Sequence, residues 1–246
     1  IYKKINKSIY NFLLMKVTIV IPVYMKKKTI LKIIDRIKKQ TKINKQIIIV
    51  DDRSTDGTRE IIEKKLSKKV DVIIYKNKNS GKGSAIKSAI SRINGNVVII
   101  QDADLEYNPK DYMKLLKPIK NNLTKVVYGS RVLNKNRYKN HNFTSRFRIF
   151  ANQILTIFSN IINNQNLTDA HTCYKVFNYK VFKKLNLDEK GFGFDSEVTS
   201  DLSKKNIKIM EVPISYKGRT YAEGKKISFK DGIRTIYVLL KYKFLK

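Results

Sequence analysis

The sequence predicts an open α/β fold in which a mostly parallel sheet is flanked by helices. The main observation is that short apolar runs rich in β-branched residues alternate with segments of helical periodicity. The first two runs, residues 17–23 and 46–51, are almost continuously apolar, as expected of strands buried on both faces. Between them, isoleucines recur at helical spacing within residues 29–40. A strand, a helix and a second strand in this order imply parallel pairing.

The same alternation continues to residue 129 and then stops. Its predicted elements are a helix after Asp56, a strand at 70–75, a helix at 83–93, a strand at 97–101, a helix after Pro109 and a strand at 126–129. The second half of the chain predicts a mixed region. Its elements are a long helix that includes Phe147 and Ile161, a strand at 172–178, a helix at 196–204, a strand at 207–214 and a final helix from about residue 229.

A chain of 246 residues fits one large domain, and its 42% hydrophobic content is sufficient for a continuous core. We expect a single domain over residues 15–246, with one half at 17–130 and the other at 131–246. Met15 stands directly before the first predicted strand. Residues 1–14 are therefore interpreted as an N-terminal extension without a role in the fold.

The composition indicates possible partners without identifying one. A formal charge of +32 attracts polyanions, whether nucleic acid or an anionic membrane surface, although the abundance of Lys, Asn and Ile also fits an AT-rich coding sequence. Cys173 is the single cysteine, which excludes an internal disulfide and favours the cytosol or the cytosolic side of a membrane. No run of about 18 apolar residues predicts a membrane-spanning helix.

Acidic side chains follow two of the predicted strands. Asp51 and Asp52 end the second strand, and Asp102, Asp104 and Glu106 follow the fourth. Ligands of open parallel sheets bind at the carboxyl ends of the strands, and oxygen ligands suit a divalent cation such as Mg²⁺ or Mn²⁺. The alternative for an isolated Asp-x-Asp is that both residues cap the helix and turn that follow.

Several motifs together identify a family. The first four, in chain order, are IVIPVY at 19–24, IVDDRSTDGT at 49–58, SGKG at 80–83 and IQDADLE at 100–106. With these motifs the chain resembles the family-2 inverting glycosyltransferases, which have the nucleotide-diphospho-sugar transferase (GT-A) fold. Four further motifs are similar to the polyprenyl-phosphate sugar transferases, of which dolichol-phosphate mannosyltransferase is the familiar member. They lie at 127–131, 167–177, 193–197 and 211–226.

The resemblance implies functional residues at matching positions. The implied nucleotide-sugar pocket, in the half at 17–130, contains Pro22, Tyr24, Asp52, Ser54, Lys82 and Asp102. The implied ligands of Mg²⁺ or Mn²⁺ are Asp102, Asp104 and Glu106. In the acceptor-side half at 131–246, Arg131 is implied to bind the acceptor phosphate and to act with Asp104 in catalysis, and Arg146 and Arg219 are further candidates for that phosphate.

Some of these assignments have alternatives. Gly81–Gly83 either contacts the donor or forms a turn that opens a helix, and a solvated surface position is favoured for Arg146. Asp169 belongs to a motif of the subgroup, yet its carboxylate could instead bond loop backbone, and His171 fits an ordinary loop or core histidine. The chain also departs from the family at Met25-Lys26, where Asn-Glu is usual. Because that glutamate often helps to hold the nucleoside, recognition of the base and ribose stays open.

The resemblance implies metal-dependent transfer of mannose or glucose from a GDP- or UDP-hexose to a polyprenyl or dolichyl phosphate, with inversion. The implied location is the cytosolic face of a membrane, reached peripherally or through a membrane-protein partner. The helix that includes Phe147 and the terminal basic helix could lie in the membrane interface. Ordinary core packing is the alternative for both helices, and it is favoured for the terminal one.

Two other functions remain possible at this point. A transferase that adds a sugar to a hydroxyl acceptor in cell-surface glycan assembly would share most of the motifs, although processive synthases use Gln-x-x-Arg-Trp and this chain has no tryptophan. A nucleic-acid-binding protein would need a basic, aromatic ligand face, whereas the predicted cleft is acidic. We therefore expect no specific binding to nucleic acid.

Overall fold

The computed structural model describes residues 15–133, 143–191, 193–219 and 229–245. In this part of the chain seven strands form one sheet. The strands are β1 (Lys16–Val23), β2 (Asn44–Asp51), β3 (Val72–Tyr75), β4 (Val97–Ile100), β5 (Val126–Ser130), β6 (Lys175–Asn178) and β7 (Ile209–Pro213). The extension expected at residues 1–14 lies outside the described residues.

The strand order is β3-β2-β1-β4-β6-β5-β7. The strands β1 to β4 pair in parallel, with Ile19 of β1 opposite Ile47 of β2 and Ile99 of β4. β6 is antiparallel to both of its neighbours, β4 and β5, and β5 pairs in parallel with β7. The prediction of a parallel first half and a mixed second half is confirmed.

Helices lie on both faces of the sheet. They are α1 (Ile30–Lys38), α2 (Thr58–Ile61), α3 (Lys82–Ala89), α4 (Tyr112–Lys120), α5 (Phe143–Asn163), α6 (Tyr179–Phe182), α7 (Phe194–Lys204) and α8 (Phe229–Phe244). Along β1, Ile19 and Ile21 belong to the core beneath α1 and α4, whereas Val20 belongs to the core beneath α3 and α7. This alternation explains the continuous apolar runs, because a strand covered on both faces buries every residue.

The strand predicted at 172–178 is shorter in the structure. β6 begins at Lys175, because the chain turns before it: the Lys175 backbone N–H donates to the Cys173 carbonyl (2.9 Å), and the Thr172 hydroxyl donates to the Gly129 carbonyl (2.7 Å). The turn leaves residues 169–172 as a loop beside the end of β5. That loop is important for the candidate site.

The sequence favours core packing of the apolar stripe of α8, and this prediction is wrong. Ile233, Ile236, Tyr237 and Leu240 are all exposed, and α8 instead buries Val238, Leu239 and Tyr242. Across the described ranges, no helix has the length and apolar character needed to cross a membrane.

Candidate active site

The candidate site lies at the carboxyl edge of the sheet. The topology brings together the loops that follow β1, β2, β4 and β5, because these strands run in the same direction. The polar side chains singled out from the sequence follow these strands. Ligands of open α/β sheets bind at this edge.

Asp102, directly after β4, is paired with Lys82 at the start of α3. The Lys82 Nζ lies 3.0 Å from the Asp102 carboxylate, and both side chains are largely buried. Burial opposes the charged form of Lys82, but the Asp102 carboxylate outweighs it and raises the pKa of Lys82 well above its usual value. Lys82 therefore stays charged and neutralises one carboxylate of the acidic group, by which we mean Asp102, Asp104 and Glu106 of the loop after β4.

The glycines on either side of Lys82 are required for packing. A Cβ at Gly81 would lie 2.5 Å from the Lys190 carbonyl oxygen, and a Cβ at Gly83 would lie 2.0 Å from that of Glu189. Gly81 also has a φ of 88°, which L side chains rarely adopt. The close approach of the 189–191 segment thus explains both glycines, and Lys82 is directed to Asp102.

Asp104 lies in the same loop, which is held against the body of the protein. The Thr29 hydroxyl donates to the Ala103 carbonyl at 2.6 Å. The Asp104 carboxylate accepts from Nη2 of Arg219 at 2.7 Å. Burial, together with the negative charges of Asp102 and Glu106, raises the pKa of Asp104 to about 6, although Arg219 opposes the shift. Asp104 thus lies among negative charges that would stabilise a cation in addition to Arg219.

Glu106 has different partners. Its carboxylate accepts from the Tyr216 hydroxyl (3.0 Å) and from the backbone N–H and Nε of Arg219 (3.0 and 3.1 Å). The structure therefore does not bring Asp102, Asp104 and Glu106 around one common point. Among the residues described, no three acidic, histidine or cysteine side chains form a metal-binding group. Glu106 fastens the 216–219 segment beside Asp104, and this role was not foreseen from the sequence.

Arg131, at the end of β5, makes a two-point ion pair with Asp169. Its Nε and Nη2 lie 2.6 and 2.7 Å from the two carboxylate oxygens of Asp169, which also accepts from the Arg131 backbone N–H. The guanidinium carbon is 5.2 Å from the centre of the Tyr216 ring. Burial opposes the charge of Arg131, but Asp169 outweighs it and raises the pKa of Arg131. Arg131 is thus a fixed cation at the site.

Asp169 is itself held by Glu211 of β7. The Glu211 carboxylate accepts from the backbone N–H groups of Thr168 and Asp169 (2.7 and 2.9 Å) and from the Thr168 hydroxyl (2.8 Å). The Asn152 side chain of α5 also donates to Asp169 at 3.3 Å. The Asp169 carboxylate therefore pairs with Arg131, whereas the backbone of the loop that contains Asp169 is held by the Glu211 carboxylate. Glu211 is the only acidic residue in the sequence from 208 to 217, and this feature could have identified it as a candidate.

Asp52 of the implied nucleotide pocket holds the loop before α3. Its carboxylate accepts from the backbone N–H groups of Ser80 (3.1 Å) and Gly81 (2.6 Å) and pairs with Lys76 at 3.0 Å. Neither the loop contact nor Lys76 was foreseen from the sequence. Asp52 thereby shapes the wall of the cleft through the backbone.

The remaining pocket residues lie around the end of β1. Pro22 is in β1, and the Ser54 hydroxyl accepts from the Met25 backbone N–H at 2.9 Å. Met25 has a φ of 52°, a conformation in which asparagine is several-fold favoured over methionine. Tyr24 is exposed beside it. The backbone of Arg146 is in α5, whereas its side chain lies outside the described residues.

The fold is that of GT-A glycosyltransferases. Glucosyl-3-phosphoglycerate synthase from Mycobacterium tuberculosis superimposes with a TM-score of 0.74 at 14% sequence identity, over 97% of this chain and 84% of that one. A structure of the same synthase with Mn²⁺, UDP-glucose and phosphoglyceric acid gives a TM-score of 0.70, also at 14% identity, over 97% and 83% of the two chains. These likenesses concern the fold.

The model of glycosyl transferase family 2 matches residues 18–186, and the chain belongs to this family. It is a glycosyltransferase. An uncharacterized protein of Methanocaldococcus jannaschii is 29% identical, over 99% of this chain and 98% of the relative. The dolichol-phosphate mannosyltransferase of Pyrococcus furiosus is 27% identical over 93% of this chain. The aligned region spans 64% of the length of the Pyrococcus protein.

A second named relative has almost the same length as this chain. The UDP-N-acetylglucosamine–dolichyl-phosphate N-acetylglucosaminyltransferase of Methanococcus voltae is 26% identical over 93% of this chain and 96% of that protein.

Proposed function

We propose that this chain transfers a hexose, mannose or glucose, from a GDP- or UDP-sugar to a polyprenyl or dolichyl phosphate, with inversion at the sugar. The observation that supports this most is that one side chain, Tyr216, contacts both the acidic residue Glu106 and the fixed arginine Arg131. The Tyr216 hydroxyl donates to Glu106, and its ring lies under Arg131. A donor diphosphate held through a divalent cation at Asp102 and Asp104 and an acceptor phosphate held by Arg131 would meet across Tyr216.

The donor end would use the half at 17–130. Asp102 and Asp104 fit a divalent cation, because their oxygens are hard ligands, and because burial together with the charges of Asp102 and Glu106 raises the pKa of Asp104. Glu106 fits less well, since its oxygens are committed to Tyr216 and Arg219. A bound Mg²⁺ or Mn²⁺ would neutralise the leaving diphosphate. The solved synthase of M. tuberculosis with Mn²⁺ and UDP-glucose supports this class of cofactor and donor.

The acceptor end would use the half at 131–246. A lipid phosphate has a second pKa near 6 and is largely ionised at neutral pH, so no strong base is needed. The protein must instead offset repulsion between two anions. The Nε and Nη2 edge of Arg131 faces Asp169, so an acceptor phosphate would meet the Nη1 edge. Arg219, and Arg146 from α5, would supply further positive charge.

The names of two relatives favour a lipid phosphate over a sugar hydroxyl. Both the Pyrococcus and the Methanococcus relatives are named for dolichyl-phosphate substrates. The proposed location follows from that acceptor: the cytosolic surface of a membrane, held peripherally or through a membrane-protein partner.

Radiolabelled GDP-mannose, UDP-glucose and UDP-N-acetylglucosamine, each incubated with polyprenyl phosphate and Mn²⁺, test the proposal. We expect label from GDP-mannose or from UDP-glucose to enter the lipid phase and to stop entering it on addition of a chelator, whereas label from UDP-N-acetylglucosamine alone would refute the proposed sugar. Arg131→Lys keeps the charge but removes the fork, and we expect it to slow transfer by about a hundredfold. Arg36→Lys, at an exposed position of α1, is the matched control. Label found only on a hydroxyl acceptor would refute the lipid phosphate.

A further inference from the structure

Helix α5 has an inverted distribution of polar and apolar side chains. Its outward stripe consists of Phe150, Ile154, Ile157 and Ile161, which are 58%, 50%, 59% and 74% exposed. The buried face of the same helix is polar, and its buried residues include Thr156, Ser159 and Asn163. A helix on the surface of a water-soluble protein normally has the opposite arrangement.

The inward polar face is bonded to the body of the protein. Asn152 donates to Asp169, and the side-chain amide of Asn160 both donates to the Leu167 carbonyl (2.8 Å) and accepts from the Leu167 N–H (3.0 Å). These bonds fix the rotation of α5, because turning the helix would break the hydrogen bonds of these two half-buried amides. The apolar stripe must therefore face outward.

Helix α8 packs against α5 and also exposes an apolar stripe. The stripe consists of Ile233, Ile236, Tyr237, Leu240 and Phe244. The other side of α8 is fixed: Arg234 and Lys241 pair with Glu189 at 2.8 and 3.1 Å, and the Tyr242 hydroxyl donates to Glu197. Two neighbouring helices thus expose nine large apolar side chains together, which we call the apolar face. Exposed patches of this kind mark interaction sites.

We propose that the apolar face binds the surface of an anionic phospholipid bilayer, with α5 and α8 lying in the interface. The charge favours this occupant. Residues 143–163 of α5 contain no acidic residue, and Asp231 is the one acidic residue of α8. The whole chain has a formal charge of +32. A second copy would bring another +32 against the first, whereas anionic headgroups attract basic residues. Burial of the apolar side chains at the acyl boundary supplies the remaining affinity.

The position of α5 connects this surface to the candidate acceptor site. Asn152, on the inward side of α5, contacts Asp169, which holds Arg131. A bilayer against the outer stripe of α5 would therefore lie one helix away from Arg131. The purpose of this surface rests on the proposed lipid acceptor, but binding to vesicles is measured without donor or acceptor. Failure of either proposal is therefore distinguishable from failure of the other.

The absence of tryptophan from the chain allows a direct test. Ile157→Trp places a single indole on the apolar face, and Leu123→Trp, at a position 67% exposed after α4, is the matched control. With vesicles of phosphatidylcholine and phosphatidylglycerol, we expect a blue shift and quenching by brominated lipid tails for the Ile157→Trp variant only. Quenching of the indole in both variants, or in neither, would overturn the proposal.

A second measurement separates apolar contact from attraction by charge alone. Ile154→Gln with Ile157→Gln should lower the vesicle partition coefficient about tenfold or more, whereas Leu123→Gln should leave it unchanged. If the double variant, the Leu123→Gln control and the unmutated protein all had the same partition coefficient, the proposal would be overturned. Sedimentation velocity without lipid provides the competing outcome: a dimer that the double variant abolishes, together with no vesicle binding, would assign the face to a second copy.

Discussion

His171 offers a test of the loop that holds Asp169. Its Nε2 is buried and has no hydrogen-bond partner among the residues that the structure describes. Burial, together with the charge of Lys175, lowers the pKa of His171 from 6.5 to about 4, although Asp195 and Asp169 oppose the shift. The imidazole is therefore neutral in the folded protein at neutral pH. Acidification should destabilise the fold, because the unfolded chain takes up this proton first.

The sign and size of the effect follow from proton linkage. Between pH 6.5 and about 4 the unfolded state binds more protons at His171, so stability falls as the pH falls through this window. Each pH unit is worth about 1.4 kcal/mol, which gives an upper bound of about 3–4 kcal/mol for the whole window. Between about pH 8 and about pH 5 the same relation gives about 2 kcal/mol.

Urea unfolding at about pH 8 and about pH 5 measures this loss. Other groups also titrate, and the raised pKa of Glu211 contributes with the opposite sign, so the comparison is made between variants. His171→Gln should remove about 2 kcal/mol of the pH dependence, whereas His141→Gln, which changes the other histidine of the chain, should not. Equal pH dependence of His171→Gln and the unmutated protein would refute the reasoning. So would an NMR titration in which the pKa of His171 stays at its ordinary value of about 6.5.

Three further predictions concern the site and its supports. Asp104→Asn should lower initial rates of sugar transfer by about a hundredfold or more without changing the circular dichroism, and retained activity would contradict its role. Gly83→Ala should lower the free energy of unfolding by about 2 kcal/mol or more because its Cβ would meet backbone at 2.0 Å, whereas Gly191→Ala, which meets nothing, should not. Lys175→Met leaves the buried Asp195 carboxylate without its partner at 2.9 Å and should cost about 3–5 kcal/mol in urea unfolding. Adding Asp195→Asn should restore part of that loss.

The parallel half of the fold could be predicted from the sequence because the signal there is local. Each strand from β1 to β4 is an apolar run, and each connection contains a helical segment. The position of β6 could not be predicted. It inserts between β4 and β5 through pairs such as Val98 with Phe177, and no local pattern states that pairing. The shorter β6 has the same cause, since the turn before Lys175 depends on contacts with β5.

In the candidate site, too, the positions of residues along the chain could be predicted, but their long-range partners could not. The motifs placed Asp102, Asp104 and Arg131 at the sheet edge, because positions after strands can be read along the chain. The partners of these charges could not be read, since Arg219 reaches Asp104 across 115 residues and Asp169 reaches Arg131 across 38. The periodicity of α5 likewise showed an apolar stripe but not its direction. That direction depends on where Asn152 and Asn160 find partners.

Tyr216 makes the two ends of the candidate site interdependent. Its hydroxyl is fixed by Glu106, its ring lies under Arg131 and against the ring of Tyr107, and Arg219 three residues later holds Asp104. A cation that binds Asp104, as proposed, would compete with Arg219 for its carboxylate. Loss of the Asp104 contact would leave the 216–219 segment, and with it Tyr216, held by Glu106 alone among these acidic residues. If the donor binds at Asp104 and the acceptor phosphate at Arg131, as proposed, the two would be coupled through residues 216–219, and we expect a change at either end to alter the KM of both substrates in the transfer assay.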